Sequence, residues 1–234
     1  MIKKIYIVFS LFLMVSLSKG QEVVYTRDKY PDMRYLGLSG TVFYNTYNQI
    51  KGSAYLIDSW SKGNIRLKNG VILNDINFKI DLFAHRVLIY HEILKRIIVI
   101  DKDNIESLEF STGDIKRKFK KLDGLKTRTT IKDGIIAEVL SEGKVSCYKV
   151  FYKNKIALSE PVKPFIDEFT DLEEYYIFKD SLYLPVKLRR HNLIKMFPEY
   201  KTEIKQHIRQ SKLRPRREAD FAKIVGFINN LKNN

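Results

Sequence analysis

Alternation of apolar and polar residues dominates the first half of the chain and predicts antiparallel strands. Ile76, Phe78 and Ile80 alternate with polar residues, and a period of two is typical of a strand with one buried face. Similar short runs recur between residues 52 and 111, separated by polar and glycine-containing breaks. We therefore expect an antiparallel meander of about six short strands in this region, preceded by a first strand near residues 41–44.

Asn69-Gly70 separates two of these runs and is the strongest short hairpin signal in the chain. Both residue types tolerate a positive φ, which the two central positions of a type I′ turn require. The dipeptide therefore predicts a type I′ turn between two paired strands.

Two further hairpins are predicted in the second half of the chain, over residues 134–152 and 174–188. The first contains a short polar segment with a glycine at residues 140–144, which is typical of a hairpin connection. Its second strand, residues 145–152, carries apolar side chains on both faces. Such a strand is buried on both sides, so we expect it to be covered by the sheet core on one face and by the C-terminal segment on the other.

Two segments near these hairpins carry weaker patterns. Residues 115–130 are rich in lysine, and their few apolar residues fit either a narrow helical stripe or an exposed edge strand whose charge blocks edge-to-edge pairing. We expect a strand, because strands are predicted on both sides of the segment. Residues 154–171 contain Pro161 and Pro164 and are predicted to form a long loop.

The C-terminal segment predicts three short helices. Asn192 is expected to cap a helix over residues 193–197, which Pro198 ends. Further helices are predicted over residues 198–211 and 217–231, each with one apolar stripe. In the last helix a small-residue patch around Gly226 indicates either close approach of another backbone or a glycine that the helix tolerates. The stripe residues expected to dock on the sheet are Ile204, Ile208, Phe221, Val225 and Ile228.

These patterns together predict an α+β fold. An antiparallel β-rich body of about ten short strands, arranged as a meander in a barrel or a sandwich, is followed by a C-terminal bundle of two to three short helices. We expect residues 1–20 to be a signal peptide, residues 21–188 to form the β body, and residues 189–234 to form a basic helical segment docked on it.

The first 20 residues predict export. Two lysines precede an apolar run over residues 5–17, and small residues stand at positions −3 and −1 relative to Gln21. This arrangement is typical of a secretory signal peptide, and the run is shorter than the roughly 20 residues that a membrane-spanning helix needs. An uncleaved N-terminal anchor is the alternative. We expect an exported chain with no transmembrane span after cleavage.

Positive charge is concentrated in two parts of the chain, whose formal net charge is +15. Residues 115–132 hold 8 basic residues and 1 acidic residue, residues 186–234 hold 13 and 4, and residues 21–114 hold 12 of each. Clustered cations attract an anionic membrane surface or an acidic envelope protein, although a merely solvated basic surface is the alternative. The candidate contact residues are Lys116, Arg117, Lys118, Lys120, Lys121, Arg209, Lys212, Arg214, Arg216 and Arg217.

The residues that could carry chemistry form no recognisable catalytic or metal-binding motif. The four histidines lack metal-ligand spacing, and neither a nucleophile elbow nor a phosphate loop is present. Cys147, the only cysteine, is expected to be a small buried apolar residue. We therefore predict no enzymatic activity, no metal and no cofactor. Nucleic acid is not expected as a partner, because no motif that reads it is present.

Four stretches in the second half of the chain carry a resemblance to a known family: EVLSEGKVSCYK, EYYIFKDSLYLPVKL, NLIKMFPEYKTEIKQHI and DFAKIVGFINNL. Together with the signal peptide and the hairpin-rich middle, they resemble a family of uncharacterised exported proteins typical of the Bacteroidetes. The resemblance covers most of the mature chain and is strongest over residues 134–231. It implies export and a location in the periplasm or cell envelope of a Gram-negative bacterium, and it implies no activity and no site residue.

Two functions remain open at this level. The first is a non-catalytic envelope protein that binds an anionic surface or an acidic protein partner through its basic segments. The second is a carrier of an apolar ligand, such as a lipid, in a cavity of the β body. A well-formed apolar cavity favours the carrier, whereas a filled core with an exposed charged patch favours the binding protein.

Overall fold

The computed structural model describes residues 24–25, 40–91, 95–127 and 134–232. The predicted signal peptide lies outside the described residues. The strands are β1 (Val24–Tyr25), β2 (Gly40–Val42), β3 (Ile50–Lys51), β4 (Ser61–Leu67), β5 (Ile72–Asp81), β6 (Arg86–His91), β7 (Arg96–Ile100), β8 (Ile105–Thr112), β9 (Ile115–Leu122), β10 (Ile135–Ser141), β11 (Ser146–Val162), β12 (Phe165–Lys179) and β13 (Leu182–Val186). The helices are α1 (Arg190–Met196), α2 (Lys201–Gln210) and α3 (Glu218–Leu231), with 3-10 turns at Lys102–Asn104 and Pro198–Tyr200.

The described strands belong to one open sheet of thirteen strands. Its main path runs β13-β12-β11-β10-β9-β8-β4-β5-β6-β7-β2, and each neighbouring pair along that path is antiparallel. The short strands β1 and β3 pair in parallel with β5 and β12. The predicted α+β class is confirmed, with a β-rich body followed by three C-terminal helices.

The region predicted as a six-strand meander contains five strands among its described residues. β4 to β7 form a meander, and β8 then returns to pair with the free side of β4. Residues 52–60 form no strand apart from an isolated bridge between Tyr55 and Asp81. The hairpin turn at Asn69-Gly70 is confirmed, but the type I′ geometry is wrong, because only Gly70 has a positive φ. The Asn69 side chain accepts a hydrogen bond from the Val71 amide at 3.1 Å, which favours an Asx-type turn with a negative φ at Asn69.

Residues 154–171 were predicted to form a loop, and that prediction is wrong. They belong to β11 and β12, which pair with each other from Ser146↔Phe178 out to Ala157↔Asp167. Ion pairs between the two strands, such as Lys155–Asp167 at 3.0 Å, support the pairing. Both prolines lie near the turn of this hairpin, where the strands approach their ends and proline is tolerated.

The strand predicted in the lysine-rich segment is confirmed as β9, but its expected position at an edge is wrong. β9 lies between β8 and β10. Its cationic side chains are tolerated inside the sheet because carboxylates on other segments pair with them, as described below. The charge of this segment therefore reflects pairing within the fold and does not mark a free edge.

Three apolar clusters hold the described part of the molecule together. The inward side chains of β4 to β10 form the largest, in which the Phe110 ring lies 5.4 Å from that of Phe78 and 5.6 Å from that of Phe119. A second cluster joins the sheet to the helices, and a third lies on the other face of β11. The two faces of β11 contribute Cys147 and Tyr148 to different clusters, which confirms that this strand is covered on both sides.

The helices pack on the β10–β11 end of the sheet. Ile204, Ile208, Phe221, Val225 and Ile228, the stripe residues predicted to dock, are all buried in the second cluster. The cap prediction is wrong: α1 begins at Arg190, two residues before Asn192, whose side-chain amide instead donates to the Lys187 carbonyl at 2.9 Å.

Two small features fix the position of α3. The Asn229 side chain pairs with the backbone of Val145 through two hydrogen bonds of 2.8 Å, one accepted and one donated. A Cβ at Gly143 would lie 2.5 Å from the Asn229 amide nitrogen, so this turn needs glycine. A Cβ at Gly226 would meet only the Ser141 hydroxyl at 3.9 Å. Because no backbone atom of another described segment lies within 4 Å of that Cβ position, Gly226 is a glycine that the helix tolerates and does not mark the close approach of another backbone.

Candidate functional site

The C-terminal helices form a groove of about 700 Å³ that is lined almost entirely by cationic and apolar side chains. It lies where the start of α1, the end of α2 and the segment before α3 come together. Its lining residues, which define the arginine groove, are Arg189, Arg190, His191, Ile208, Leu213, Arg214, Pro215, Arg216 and Arg217.

Five arginines line this groove, and no carboxylate does. Arg86 and Arg117 are examples of arginines that form ion pairs, whereas none of the five groove arginines forms one with a residue in the described part of the chain. All five are exposed to solvent. The groove therefore carries a concentration of positive charge that no ion pair with a described residue neutralises.

The acidic residues closest in sequence are occupied elsewhere. Glu218 directly follows Arg217, but its carboxylate accepts from Lys149 Nζ at 2.8 Å and from the Tyr175 hydroxyl at 2.9 Å. Asp220 accepts from the backbone N–H of Arg214 at 2.9 Å. These two carboxylates hold the segment before α3 in place, and neither neutralises an arginine side chain of the groove.

Local backbone geometry gives the groove a defined shape. After α2 the Leu213 N–H donates to the Ile208 carbonyl at 3.0 Å and the Lys212 N–H to the Arg209 carbonyl at 3.3 Å, with a φ of 50° at Lys212. This is a Schellman motif, which brings Leu213 against Ile208. The Arg217 N–H then donates to the Arg214 carbonyl at 2.8 Å and closes a turn. Arg214, Arg216 and Arg217 therefore belong to a hydrogen-bonded turn.

The structure brings together only some of the residues predicted as anionic contacts. Arg214 and its neighbours Arg216 and Arg217 lie in the groove, whereas Arg209 and Lys212 are exposed outside it. Arg189 and Arg190 complete the groove from the start of α1, and sequence reasoning missed them as site residues. Their adjacency in the basic C-terminal segment was a visible signal, but a separation of more than twenty residues hid their convergence with the others.

The five predicted contacts on β9 are each paired with a carboxylate. Arg117 donates two hydrogen bonds to Glu138, at 2.7 and 2.8 Å, and this pair is largely buried. The remaining pairs are Lys116–Glu109, Lys118–Glu142, Lys120–Glu142, Lys121–Asp103 and Lys121–Asp123. Lys120 and Lys118 hold the pKa of the Glu142 carboxyl below its ordinary value through hydrogen bonds. Much of the cationic charge of β9 is thus balanced within the sheet.

Two other concave regions lie near the helices. A groove of about 790 Å³ between β12, β13 and α1 carries both signs of charge, because Glu173 and Glu174 line it together with Lys187 and Lys195. A smaller one of about 450 Å³ lies between α2 and α3 beside the stacked rings of His207 and Phe227. The first therefore lacks the single sign of charge of the arginine groove, and Lys223 is the only described lysine, arginine or carboxylate that lines the second.

Buried titratable groups elsewhere have structural surroundings. Burial raises the pKa of the Cys147 thiol to about 12, which keeps it protonated and unreactive. Asp81 is fully buried and accepts hydrogen bonds from Arg86 Nε at 2.9 Å and from the Tyr47 hydroxyl at 2.7 Å. That network ties the segment before β3 to the β5–β6 turn. No group of three or more potential metal ligands occurs among the described residues.

Comparisons with known proteins do not identify a family for this chain. No family model matches the chain, no curated protein matches its sequence, and no solved structure matches its fold. The resemblance to exported Bacteroidetes proteins therefore stays a prediction. None of the helices in the described part of the chain has the length and apolar character that a bilayer crossing requires.

Proposed function

We propose that this chain is an exported, non-catalytic binding protein that engages an anionic partner at the cell envelope through the arginine groove. The observation that carries the proposal is the convergence of five arginines, from two separated segments, on one groove without a carboxylate. Like charges that line one groove repel one another, and an anion that binds among them relieves the repulsion.

The rest of the molecule is consistent with a scaffold for this groove. The inward faces of the sheet are filled by packed apolar side chains, and the sheet is open. The other large basic segment, β9, is paired with carboxylates. A filled core with an exposed charged patch favours a binding protein, so a carrier of an apolar ligand is the less favoured of the two functions.

Co-sedimentation with vesicles tests the proposal. The chain should bind vesicles that contain phosphatidylglycerol and not vesicles of phosphatidylcholine alone. Binding should weaken as the salt concentration rises past about 0.15 M, where the screening length is about 8 Å. Equal binding to both kinds of vesicle, or binding that salt does not affect, would overturn the proposal for a lipid surface.

A pair of charge-matched variants locates the binding surface. Arg190→Gln with Arg216→Gln removes two charges from the groove, and Lys205→Gln with Arg209→Gln removes two exposed charges of α2 outside it. We expect the first double variant to lose most of the binding, at least about tenfold in affinity, because each groove arginine contributes on the order of 1 kcal/mol. Equal losses in the two variants would show that net charge, and not the groove, determines binding.

A pull-down from envelope extract with the same pair of variants reveals an acidic protein partner if the chain binds a protein instead of a lipid surface.

A further inference from the structure

The groove is selective in its choice of cation. The chain contains 13 arginines and 29 lysines, yet five arginines and no lysine line the groove. Attraction to a diffuse anionic surface requires only charge, which lysine supplies equally well. Guanidinium adds a planar pair of donors that matches two oxygens of one anionic group. The composition of the groove therefore indicates recognition of a particular anionic group.

The number of arginines limits the kinds of anionic group that the groove can match. A carboxylate or a phosphate diester offers one pair of terminal oxygens, and hence one edge for a bidentate guanidinium. A phosphate monoester has three terminal oxygens, which form three such edges, and it carries about −1.5 to −2 charges at pH 7. Among common biological anions it offers the most edges to the several guanidinium groups that line this groove.

From this chemistry we propose that the arginine groove recognises a phosphate monoester group on its partner. The inference rests on the proposed function, since it names the chemical group that the same groove binds. The segment before α3 is already held by the Asp220–Arg214 hydrogen bond and by the Schellman motif of α2. Because the loop is ordered before binding, little free energy is spent on ordering it. Ile208, Leu213 and Pro215 line the groove beside the arginines and provide apolar contact for the carbon atoms next to the phosphate.

Two lipids test the inference on the full chain. Vesicles that contain phosphatidic acid, a monoester, are compared with vesicles that contain phosphatidylglycerol, a diester, after the two are matched in surface potential. We expect the half-saturating concentration of the phosphatidic acid vesicles to be about tenfold lower. Equal binding to the two would overturn the monoester inference and leave the proposed function intact. Absence of binding to both would overturn the monoester inference together with the proposal for a lipid surface.

Soluble competitors distinguish the source of the phosphate. Glycerol phosphate should displace the chain from phosphatidic acid vesicles at concentrations where dimethyl phosphate, at equal ionic strength, does not. If glycerol phosphate binds about as tightly as the phosphatidic acid vesicles do, counted per phosphate group, the result points to a soluble monoester. If glycerol phosphate binds much more weakly than the vesicles, the result points to a lipid head group. Equal displacement by the two competitors would contradict the inference.

A conservative variant separates charge from geometry. Arg190→Lys combined with Arg216→Lys keeps the positive charge of the groove and removes two of its guanidinium forks. We expect this variant to retain salt-dependent binding to phosphatidylglycerol vesicles and to lose most of its preference for phosphatidic acid. An unchanged preference would show that the guanidinium geometry is not what selects the ligand.

Discussion

Ionisable residues in the interior of this protein either have a partner or are uncharged. Arg117 meets Glu138 in a bidentate pair, and Asp81 meets Arg86. His85 is different, because it is almost fully buried and neither ring nitrogen has a hydrogen-bond partner among the described residues. Its pKa is lowered to about 4, mainly by burial, while the carboxylate of Asp81 opposes the shift and the charge of Lys102 adds to it. His85 is therefore neutral at physiological pH.

The neutral state of His85 predicts a dependence of stability on pH. Between pH 6.5 and about 4 the unfolded chain binds a proton at this histidine and the folded chain does not. The free energy of unfolding should therefore fall as the pH is lowered through this window, by up to about 3 kcal/mol from this residue alone. His85→Asn, which tolerates the positive φ of 46° at this position, should show a shallower fall in denaturant titrations.

The unmodified chain provides the reference for this measurement. If the variant and the unmodified chain lose stability in parallel as the pH falls, then His85 is charged or solvated in the folded state and the account of this residue is wrong.

At the scale of elements, α3 is positioned by both packing and hydrogen bonding. Its apolar stripe packs against Val145 and Cys147 of the β10–β11 hairpin, and the Asn229 side chain satisfies the backbone N–H and carbonyl of Val145. Asn229 and Val145 are both buried. The hydrogen-bonded pair therefore specifies where along the hairpin the helix sits.

Asn229→Asp tests this anchor. The substitution keeps the shape and one acceptor but replaces the donor to the Val145 carbonyl with an oxygen, so two acceptors face each other in a buried place. We expect a loss of about 2–4 kcal/mol in the free energy of unfolding, measured by denaturant titration. Asn230→Asp makes the same chemical change at the exposed neighbour and should cost little. Equal costs at the two positions would mean that the loss comes from charge on the helix and not from the anchor.

Local sequence patterns predicted the hairpin at residues 134–152 and the stripes of the helices, but they did not predict how distant or neighbouring strands pair. The hairpin at residues 134–152 and the buried stripes of α2 and α3 follow from periodicity, which local sequence carries. The β11–β12 arm was missed because residues 154–171 are stabilised by pairing with each other across a turn, and the prolines obscured that pairing. The place of β9 inside the sheet depends on carboxylates such as Glu138, more than fifteen residues away in the chain.

At the scale of the whole molecule, the distribution of charge in the fold differs from that in the sequence. Counting charges along the chain treats residues 115–132 and 186–234 alike. In the fold, β9 finds carboxylates on neighbouring segments, whereas the arginines near α1 and α3 converge without one. Charge counts could predict Arg214 and its neighbours as contacts, but the contribution of Arg189 and Arg190 could not be predicted, because only tertiary packing brings α1 beside the start of α3.

The central claim is that an anionic partner binds in the arginine groove, and arginine-specific footprinting tests it most directly on the unmodified chain. Phenylglyoxal modifies accessible guanidinium groups, and mass spectrometry reports the rate at each arginine. With anionic vesicles bound, the account predicts protection of Arg189, Arg190, Arg214, Arg216 and Arg217. The exposed Arg209 on α2 and Arg96 on β7 should react as they do in the free chain. Protection of Arg209 or Arg96 to the same degree, or unchanged reactivity of the five groove arginines while vesicles are bound, would contradict the account.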